Sequence, residues 1–521
     1  MQPQISFEPL TPTAFLRRSA TVFGERIAVI DNDVRYTYRE LYDRTRRLAG
    51  ALHALGIRDG ARAAVLAPNT HVLLEAHYGV PLAGAVLVAL NQRLTAGDLA
   101  YAVEHSEAGI LIHDYEFEAV ARAIEKNLHG LKLIRAGGQD EYEDWIAGAQ
   151  PLEIPVADER AMISINYTSG TTGKPKGVMY HHRGAYLQAL AMVAHMRLDC
   201  DSVYLWTLPM FHCNGWCFTW AVTAAGATHL CLRKLDAELV WQHLRTSGVT
   251  HFCAAPTVLI MIAWAQAAKN GAPPRRIAAA TGGAPPTPAI LMRMAELGID
   301  VTHLYGLTET FGPAVICEWR RDWNELPMTR QAQIKARQGV GNVIAHDLRV
   351  VDVNGADVPA DGNTLGEIAL RGNNVMLGYY RDEAGTLKAA PDGWFRTGDL
   401  GVMHTDYYVE IKDRSKDIIL SGGENVPSLE VERALAGHSS VMEVAVVAGP
   451  DEKWGEVPVA FVTLKPDAAA TERDLIAYAR DTLAHFKAPK KIVFCELPKN
   501  ATGKIQKFVL RERAKELLKT V

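Results

Sequence analysis

The chain has 521 residues, 48% of them apolar and 22% charged, with a net charge of −4. Such a length allows roughly three to four domains with sizeable cores, and the charge excludes a polybasic nucleic-acid surface or membrane anchor. Seven scattered cysteines without a CxxC pair fit a reducing cytoplasm rather than a disulfide framework.

Glu8, Pro9 and Pro12 interrupt the first segment, so no secretory signal is expected there. Thr37 and Glu40 have capping-box spacing, and Leu41, Leu48, Leu52 and Leu55 then recur at helical spacing before Gly56. Residues 63–66 read as a strand and 68–83 as a helix that stops at Gly84, with Pro81 a kink or early stop. Further strands are expected at 85–90, 110–113 and, buried, at 161–166. Strands at 203–208, 249–254 and 301–304 then alternate with helices at 239–245 and 287–296. This alternation predicts parallel sheets flanked by helices. Between Asp201 and Arg233 there is no formal charge, but Pro209, His212, Asn214 and Gly215 make a buried wall a better reading than a membrane span. Cys213 and Cys217 near His212 can be read as metal ligands, yet without a second ligand pair they read better as buried thiols.

From residue 340 to about 415 short strands with Gly, Asp and Asn turns predict a small β subdomain. From Lys416 onward a strand at 418–420, a helix at 429–435, strands at 444–447 and 459–464 and a helix at 472–484 predict a compact α+β unit of about 100 residues. The expected fold class is therefore α/β. A large N-terminal domain, 1–415, holds parallel or mixed sheets, and a smaller α+β domain, 416–521, follows.

Residues 167–178 read YTSGTTGKPKGV directly after the 161–166 strand. Gly170 and Gly173 let backbone N–H groups turn onto an anion. Thr168, Ser169, Thr171 and Thr172 supply hydroxyl donors, and Lys174 and Lys176 supply charge. The glycine spacing and Pro175 exclude a Walker loop, which needs G-x-x-x-x-G-K-[ST]. Behind the 301–304 strand, Tyr305, Gly306, Thr308 and Glu309 stand together. Thr308 can donate to a phosphate, Glu309 suits a magnesium ion held mainly by phosphates, and Tyr305 offers a face to a purine. Gly282, Gly283 and Ala284 form a turn that can lie beside a base. Asp399 can accept from both hydroxyls of a ribose to which Arg414 can donate, although an Asp in a Gly turn is often local turn chemistry. Lys504 sits behind Thr502 and Gly503, and by itself reads as an exposed lysine.

The motifs, in this order and spacing from about Thr37 to Lys507, resemble the adenylate-forming superfamily. The runs at 209–216 (PMFHCNGW) and 335–339 look like its acyl-CoA synthetase branch. The resemblance implies two half-reactions with Mg2+, ATP and coenzyme A as co-substrates. A carboxylate attacks the α-phosphate of ATP, and the thiol of coenzyme A then displaces AMP. Catalysis is positioning plus charge stabilisation. The phosphate loop falls on Thr168 to Lys176, the phosphate threonine and magnesium glutamate on Thr308 and Glu309, the ribose pair on Asp399 and Arg414, and the adenylation lysine on Lys504. The C-terminal domain is expected to swing about Lys416, with Ser421, Gly422 and Gly423 beside the thiol channel unless they are a plain turn. His212 and Trp216 match positions lining the acyl pocket, the alternative being a core His and Trp. Asp413 departs from the glycine that often precedes the ribose arginine, and Pro286 from an aliphatic residue.

The substrate implied is an apolar acid of the medium-chain, branched or aryl type. Alternatives are loading of a carrier protein, a nucleotide-binding relative without catalysis and, on fold alone, a luciferase-like oxygenase. No nucleic-acid partner or membrane span is expected. Dimers occur among relatives, so a homodimer is carried as an expectation.

Overall fold

The computed structural model describes residues 8–138, 141–168, 175–345, 348–466, 468–499 and 503–519. Helix Tyr38–Ala54 starts at the predicted capping box: Thr37 Oγ1 accepts the Glu40 N–H at 3.2 Å, and Glu40 Oε2 accepts the Thr37 N–H at 2.7 Å. Its Leu41, Leu48 and Leu52 are fully buried. Helix His71–Leu82 is shorter than the 68–83 pattern suggests, because the Asp31 carboxylate accepts the His71 N–H at 3.0 Å and fixes its first turn. The strand expected at 203–208 ends at Leu205. Asn69 is the reason: its amide donates to the Trp206 and Leu208 carbonyls at 2.8 and 3.0 Å, and its oxygen accepts the Met210 N–H at 2.8 Å. Those backbone groups are satisfied outside the sheet.

Among the described residues the strands form four sheets. One runs, edge to edge, through Val340–Gly341, Gly312–Ile316, Ile299–Leu307, Ile277–Thr281, His251–Ala254, Val203–Leu205, Thr228–Leu230, Ile27–Asp31 and Val34–Thr37. Its centre is parallel and its ends are antiparallel. The second runs through Gly378–Tyr379, Lys176–His181, Met162–Thr168, Val86–Ala89, Arg62–Leu66, Ala108–Asp114 and Lys132–Ala136, and turns antiparallel where Met162–Thr168 and Lys176–His181 make a hairpin. Helices Tyr38–Ala54, His71–Leu82, His182–Met196 and Phe218–Ala225 lie between these sheets in one apolar core holding side chains from both. Helices Ala237–Thr246, Pro256–Ala263 and Pro288–Glu296 cover the outer face of the first sheet, and Ala96–Ser106 and Glu118–Asn127 that of the second. The uncharged stretch between Asp201 and Arg233 is spent inside this stack. No helix among the described residues is long and apolar enough to cross a membrane.

The third sheet is antiparallel: Arg349–Val351, Gly366–Leu370, Phe395–Met403 and Val409–Arg414. The fourth holds Glu424–Val426, Ile419–Ser421, Gly455–Leu464 and Val441–Asp451, with Lys491–Phe494 parallel to Gly455–Leu464. The side chains of its long strands alternate between faces. Val446, Ala460 and Val462 pack under helices Ser428–Ala436 and Glu472–Thr482, whereas Ala445, Val447, Val459 and Phe461 pack under helix Lys507–Lys519. All seven cysteines are free, Cys213 and Cys217 being buried. No cluster of three or more His, Cys, Asp or Glu able to hold a metal ion occurs among the described residues.

Candidate active site

Ligands of open α/β sheets gather at the carboxyl ends of the parallel strands. Here Ile277–Thr281 ends in Gly282, Gly283 and Ala284, and Ile299–Leu307 delivers Tyr305, Gly306, Thr308 and Glu309. Gly306 is required by close packing: a Cβ there would lie 1.8 Å from the Gly312 carbonyl oxygen. Gly283 has φ +85°, which favours glycine, and with Ala284 it is exposed.

The predicted ribose pair is brought together by strand register, not by sequence proximity. Asp399 and Arg414 stand opposite each other in adjacent antiparallel strands, with Arg414 Nε 3.1 Å from Asp399 Oδ1. The Tyr305 hydroxyl donates to Asp399 Oδ2 at 2.7 Å. Burial and then the Asp399 charge push the Tyr305 phenol far up, so it stays protonated as a donor. Burial opposes the Arg414 charge, but Asp399 together with Tyr305, Asp417 and Glu309 outweighs it and the guanidinium stays ionised. Asp399 is buried, and each of its oxygens keeps a second acceptor site.

Thr308 and Glu309 occupy a short 3-10 turn whose form is set by Thr310, which accepts the Leu307 N–H at 2.9 Å. The Tyr180 hydroxyl donates to the Thr308 carbonyl at 2.6 Å, and the Tyr379 hydroxyl donates to Glu309 Oε1 at 2.7 Å. Thr168 and Lys176 are partners across the foot of the hairpin. Lys176 reaches Asp382 at 2.8 Å and lies 4.3 Å above the Tyr379 ring. Ser169, Gly170, Thr171, Thr172, Gly173 and Lys174 lie outside the described residues. A single carboxylate held by a neutral phenol fits a magnesium ion that brings phosphate oxygens as its other ligands, and does not fit an all-protein cation cage.

His212 precedes an unusual turn, and Trp216 lies within it. Cys213, Asn214, Gly215, Trp216 and Cys217 have φ of 50, 52, 62, 54 and 63°, five left-handed residues in succession. Asn214 Oδ1 accepts from Ser164 Oγ at 2.8 Å and from Asn166 Nδ2 at 2.9 Å, tying the turn to the strand that enters the hairpin. Trp216 is wedged between glycines: a Cβ on Gly282 would lie 3.1 Å from its Cη2, and one on Gly312 3.1 Å from its Cδ1. The Cys213 thiol lies 3.7 Å from Thr308 Oγ1. Burial, then the nearby Lys504 charge, push the His212 imidazole down to about 4, so it is neutral at physiological pH.

Lys504 is exposed to solvent, yet it lies close enough to Arg414, Asp399, Lys416, Asp417 and His212 for their charges to act on one another. The loss of bulk water and the charges of Arg414 and Lys416 outweigh the pull of Asp399 and Asp417, and its pKa falls to about 8. Lys416 lies in a turn closed by the Asp417 N–H donating to the Arg414 carbonyl at 2.9 Å. Ser421, Gly422 and Gly423 form a hairpin turn with φ +61 and +87° at the glycines, and their own unit holds them: the Gly422 N–H donates to the Trp454 carbonyl at 2.8 Å. Asp413, the departure noted in the sequence, is buried and accepts the N–H groups of Arg414, at 2.8 Å, and of Ser428. A glycine there would leave the start of helix Ser428–Ala436 without this acceptor.

The model of the AMP-binding enzyme matches residues 16–380, and that of the AMP-binding enzyme C-terminal domain matches residues 430–504. The chain belongs to the AMP-binding enzyme family. This AMP-binding enzyme is 45% identical to the acetate–CoA ligase CCL3 of Humulus lupulus, over 98% of this chain and 96% of that protein. It is 44% identical to the peroxisomal acetate/butyrate–CoA ligase AAE7 of Arabidopsis thaliana, over the same shares of 98% and 96%. Among solved structures, the anthranilate CoA ligase AuaEII in complex with anthranoyl-AMP superposes with a TM-score of 0.88 at 26% identity, covering 98% of this chain and 99% of that one. Full-length similarity to such proteins puts this AMP-binding enzyme in the AMP-forming acid–CoA ligase branch.

Around the site of this AMP-binding enzyme, the sequence reading missed Tyr180, Tyr379, Asp382 and Asn214. Asn214 carried a signal, since Asn-Gly favours left-handed backbone. The others stand in no motif and meet the site only through sheet pairing and domain packing.

Proposed function

We propose that the protein activates a small apolar carboxylic acid with Mg·ATP as an acyl-adenylate and transfers the acyl group to coenzyme A. The supporting observation is convergence: Lys504, Asp399, Arg414 and His212 come from distant parts of the chain and interact electrostatically in one cleft. In the first step a carboxylate oxygen attacks the α-phosphorus and pyrophosphate leaves. Asp399 and Arg414 hold the ribose, Gly282 to Ala284 and Tyr305 with Gly306 flank the base, and Thr308 with the Thr168–Lys176 loop holds phosphate oxygens. Glu309 would hold the magnesium that arrives with the nucleotide. The Lys504 ammonium offsets the charge that grows on the α-phosphate. In the second step the 416–521 domain turns about Lys416, withdrawing Lys504, and the thiol enters beside Ser421, Gly422 and Gly423. It attacks the acyl carbonyl, and AMP leaves.

His212 and Trp216 line the acyl side. An indole wedged between Gly282 and Gly312 takes up volume that a long chain would need, and relatives named for acetate and butyrate favour the same reading. Of the apolar acids expected from the sequence, the short and branched ones therefore rank above the medium-chain ones, with small aryl acids next. Seven free thiols support a cytoplasmic setting.

The test is incubation with Mg·ATP and a panel of acids (two-carbon to long-chain, branched and aromatic), with and without coenzyme A. AMP, acyl-adenylate and acyl-CoA are quantified by mass spectrometry. The expected result is a coenzyme-A-dependent thioester from an acid of two to five carbons or so. Adenylate without thioester would transfer the reading to a carrier-protein acceptor, and neither product from any acid would overturn it. Light scattering of the purified chain checks the homodimer.

A further inference from the structure

Helix Pro256–Ala263 begins one residue after strand His251–Ala254 of the first sheet. Pro256 suits the first helical turn, and the sheet fixes where the helix starts. At its second residue the Thr257 hydroxyl donates to the Gly503 carbonyl at 3.1 Å, joining residues 246 apart in sequence. Gly503 immediately precedes Lys504. Its φ is +82°, and a Cβ there would lie 2.5 Å from Thr257 Oγ1, so only glycine allows this approach. The lysine loop is closed at its base by its own unit: Lys499 and Ile505 form a bridge, and the Gln506 N–H donates to the Pro498 carbonyl at 2.8 Å. The other end of the same helix also meets the C-terminal unit, for the Lys465 ammonium stands 5.3 Å from the ring of its C-cap residue Trp264.

A fixed Gly503 carbonyl fixes the peptide plane from which the Lys504 side chain departs. The contact crosses between the two units and belongs to the arrangement in which Lys504 faces Asp399 and His212. We propose that helix Pro256–Ala263 is the docking post of the C-terminal unit in the first half-reaction, and that Thr257 is the positioning residue that aims Lys504. The inference rests on the proposed role of Lys504 in adenylation. Thr257 acts on Lys504 through the Gly503 carbonyl, and its absence would scatter the ammonium rather than remove it.

The experiment compares Thr257→Val, which keeps the shape and loses the donor, with Thr257→Ser, which keeps the donor. Acid-dependent exchange of pyrophosphate into ATP reads the first half-reaction. Thioester formation from synthetic acyl-adenylate and coenzyme A reads the second. Thr257→Val is expected to lower the first about tenfold, the worth of one hydrogen bond, while the second stays within about twofold and Thr257→Ser restores the first. An unchanged first half-reaction, an equal loss in both, or a serine variant no better than valine would overturn the inference. A wild-type chain that exchanges no pyrophosphate with any acid overturns the functional reading and this inference with it, whereas an active wild type with an indifferent valine variant overturns this inference alone.

Discussion

A lysine that stabilises a phosphate must carry its charge when the nucleotide arrives. Lys504, with its pKa down at about 8, is protonated below that pH and loses its charge as pH rises through it. kcat/KM reports the ionisations of the free enzyme, so kcat/KM for adenylate formation should fall as pH rises past about 8. Lys504→Arg should abolish that limb, since arginine stays charged throughout the accessible range. His212, down at about 4, stays neutral above about pH 5 and should add no second limb there. An ammonium about 4 Å from the growing charge is worth up to ~4 kcal/mol at an effective dielectric of 20, roughly a thousandfold in rate. Lys504→Ala should lose that much in pyrophosphate exchange and spare thioester formation from supplied adenylate. The lysine was singled out from the sequence through the order of motifs alone; Thr257, whose hydroxyl meets the neighbouring Gly503, was not, because a threonine at the start of an apolar helix looks like any other.

At the scale of the element, the turn Cys213–Cys217 is the most constrained segment on the acyl side. Left-handed backbone costs a side-chain-bearing residue about 1–2 kcal/mol, and asparagine less than most. Asn214 adds two buried hydrogen bonds, to Ser164 and Asn166. Losing them costs about 1–3 kcal/mol. Asn214→Ala should therefore lower stability to chemical denaturation by about 2–4 kcal/mol, and Asn214→Gly by about 1 kcal/mol less, because glycine keeps the left-handed conformation at no steric cost. Equal effects would mean that the backbone carries no strain. Hydrophobic periodicity located this wall but holds no information on handedness, and so the turn was invisible beyond its Asn-Gly step. The strand before it was over-read for a related reason: residues 203–208 are apolar throughout, and only Asn69, far away in sequence, ends the ladder at Leu205.

For the whole molecule, strand–helix alternation made the layered α/β architecture and the later α+β unit legible, while the order of strands in each sheet was not, since it depends on crossovers that local pattern does not encode. The same limit applied to Asp399 and Arg414, whose pairing is a matter of register. Lys416 occupies the third position of the Arg414–Asp417 turn. A proline there forces the preceding Ser415 toward extended backbone, and it removes rotation about the joint. Lys416→Pro should separate the half-reactions, one falling at least about tenfold while the other stays within about twofold. Single-turnover measurement of both would decide, and unchanged rates in both would remove Lys416 from the mechanism.

Asp399 and Arg414 both precede that turn, and Lys504 follows it. On the proposed reading, whatever rotation the turn allows, the grip on the ribose belongs to the stationary body and the ammonium to the travelling one. On the proposed chemistry, the acyl-adenylate is a mixed anhydride that water destroys. A joint at this point in the chain lets the reagent that made it withdraw while the anhydride stays clasped, so a hydrolysable intermediate is passed from one reaction to the next without entering bulk water.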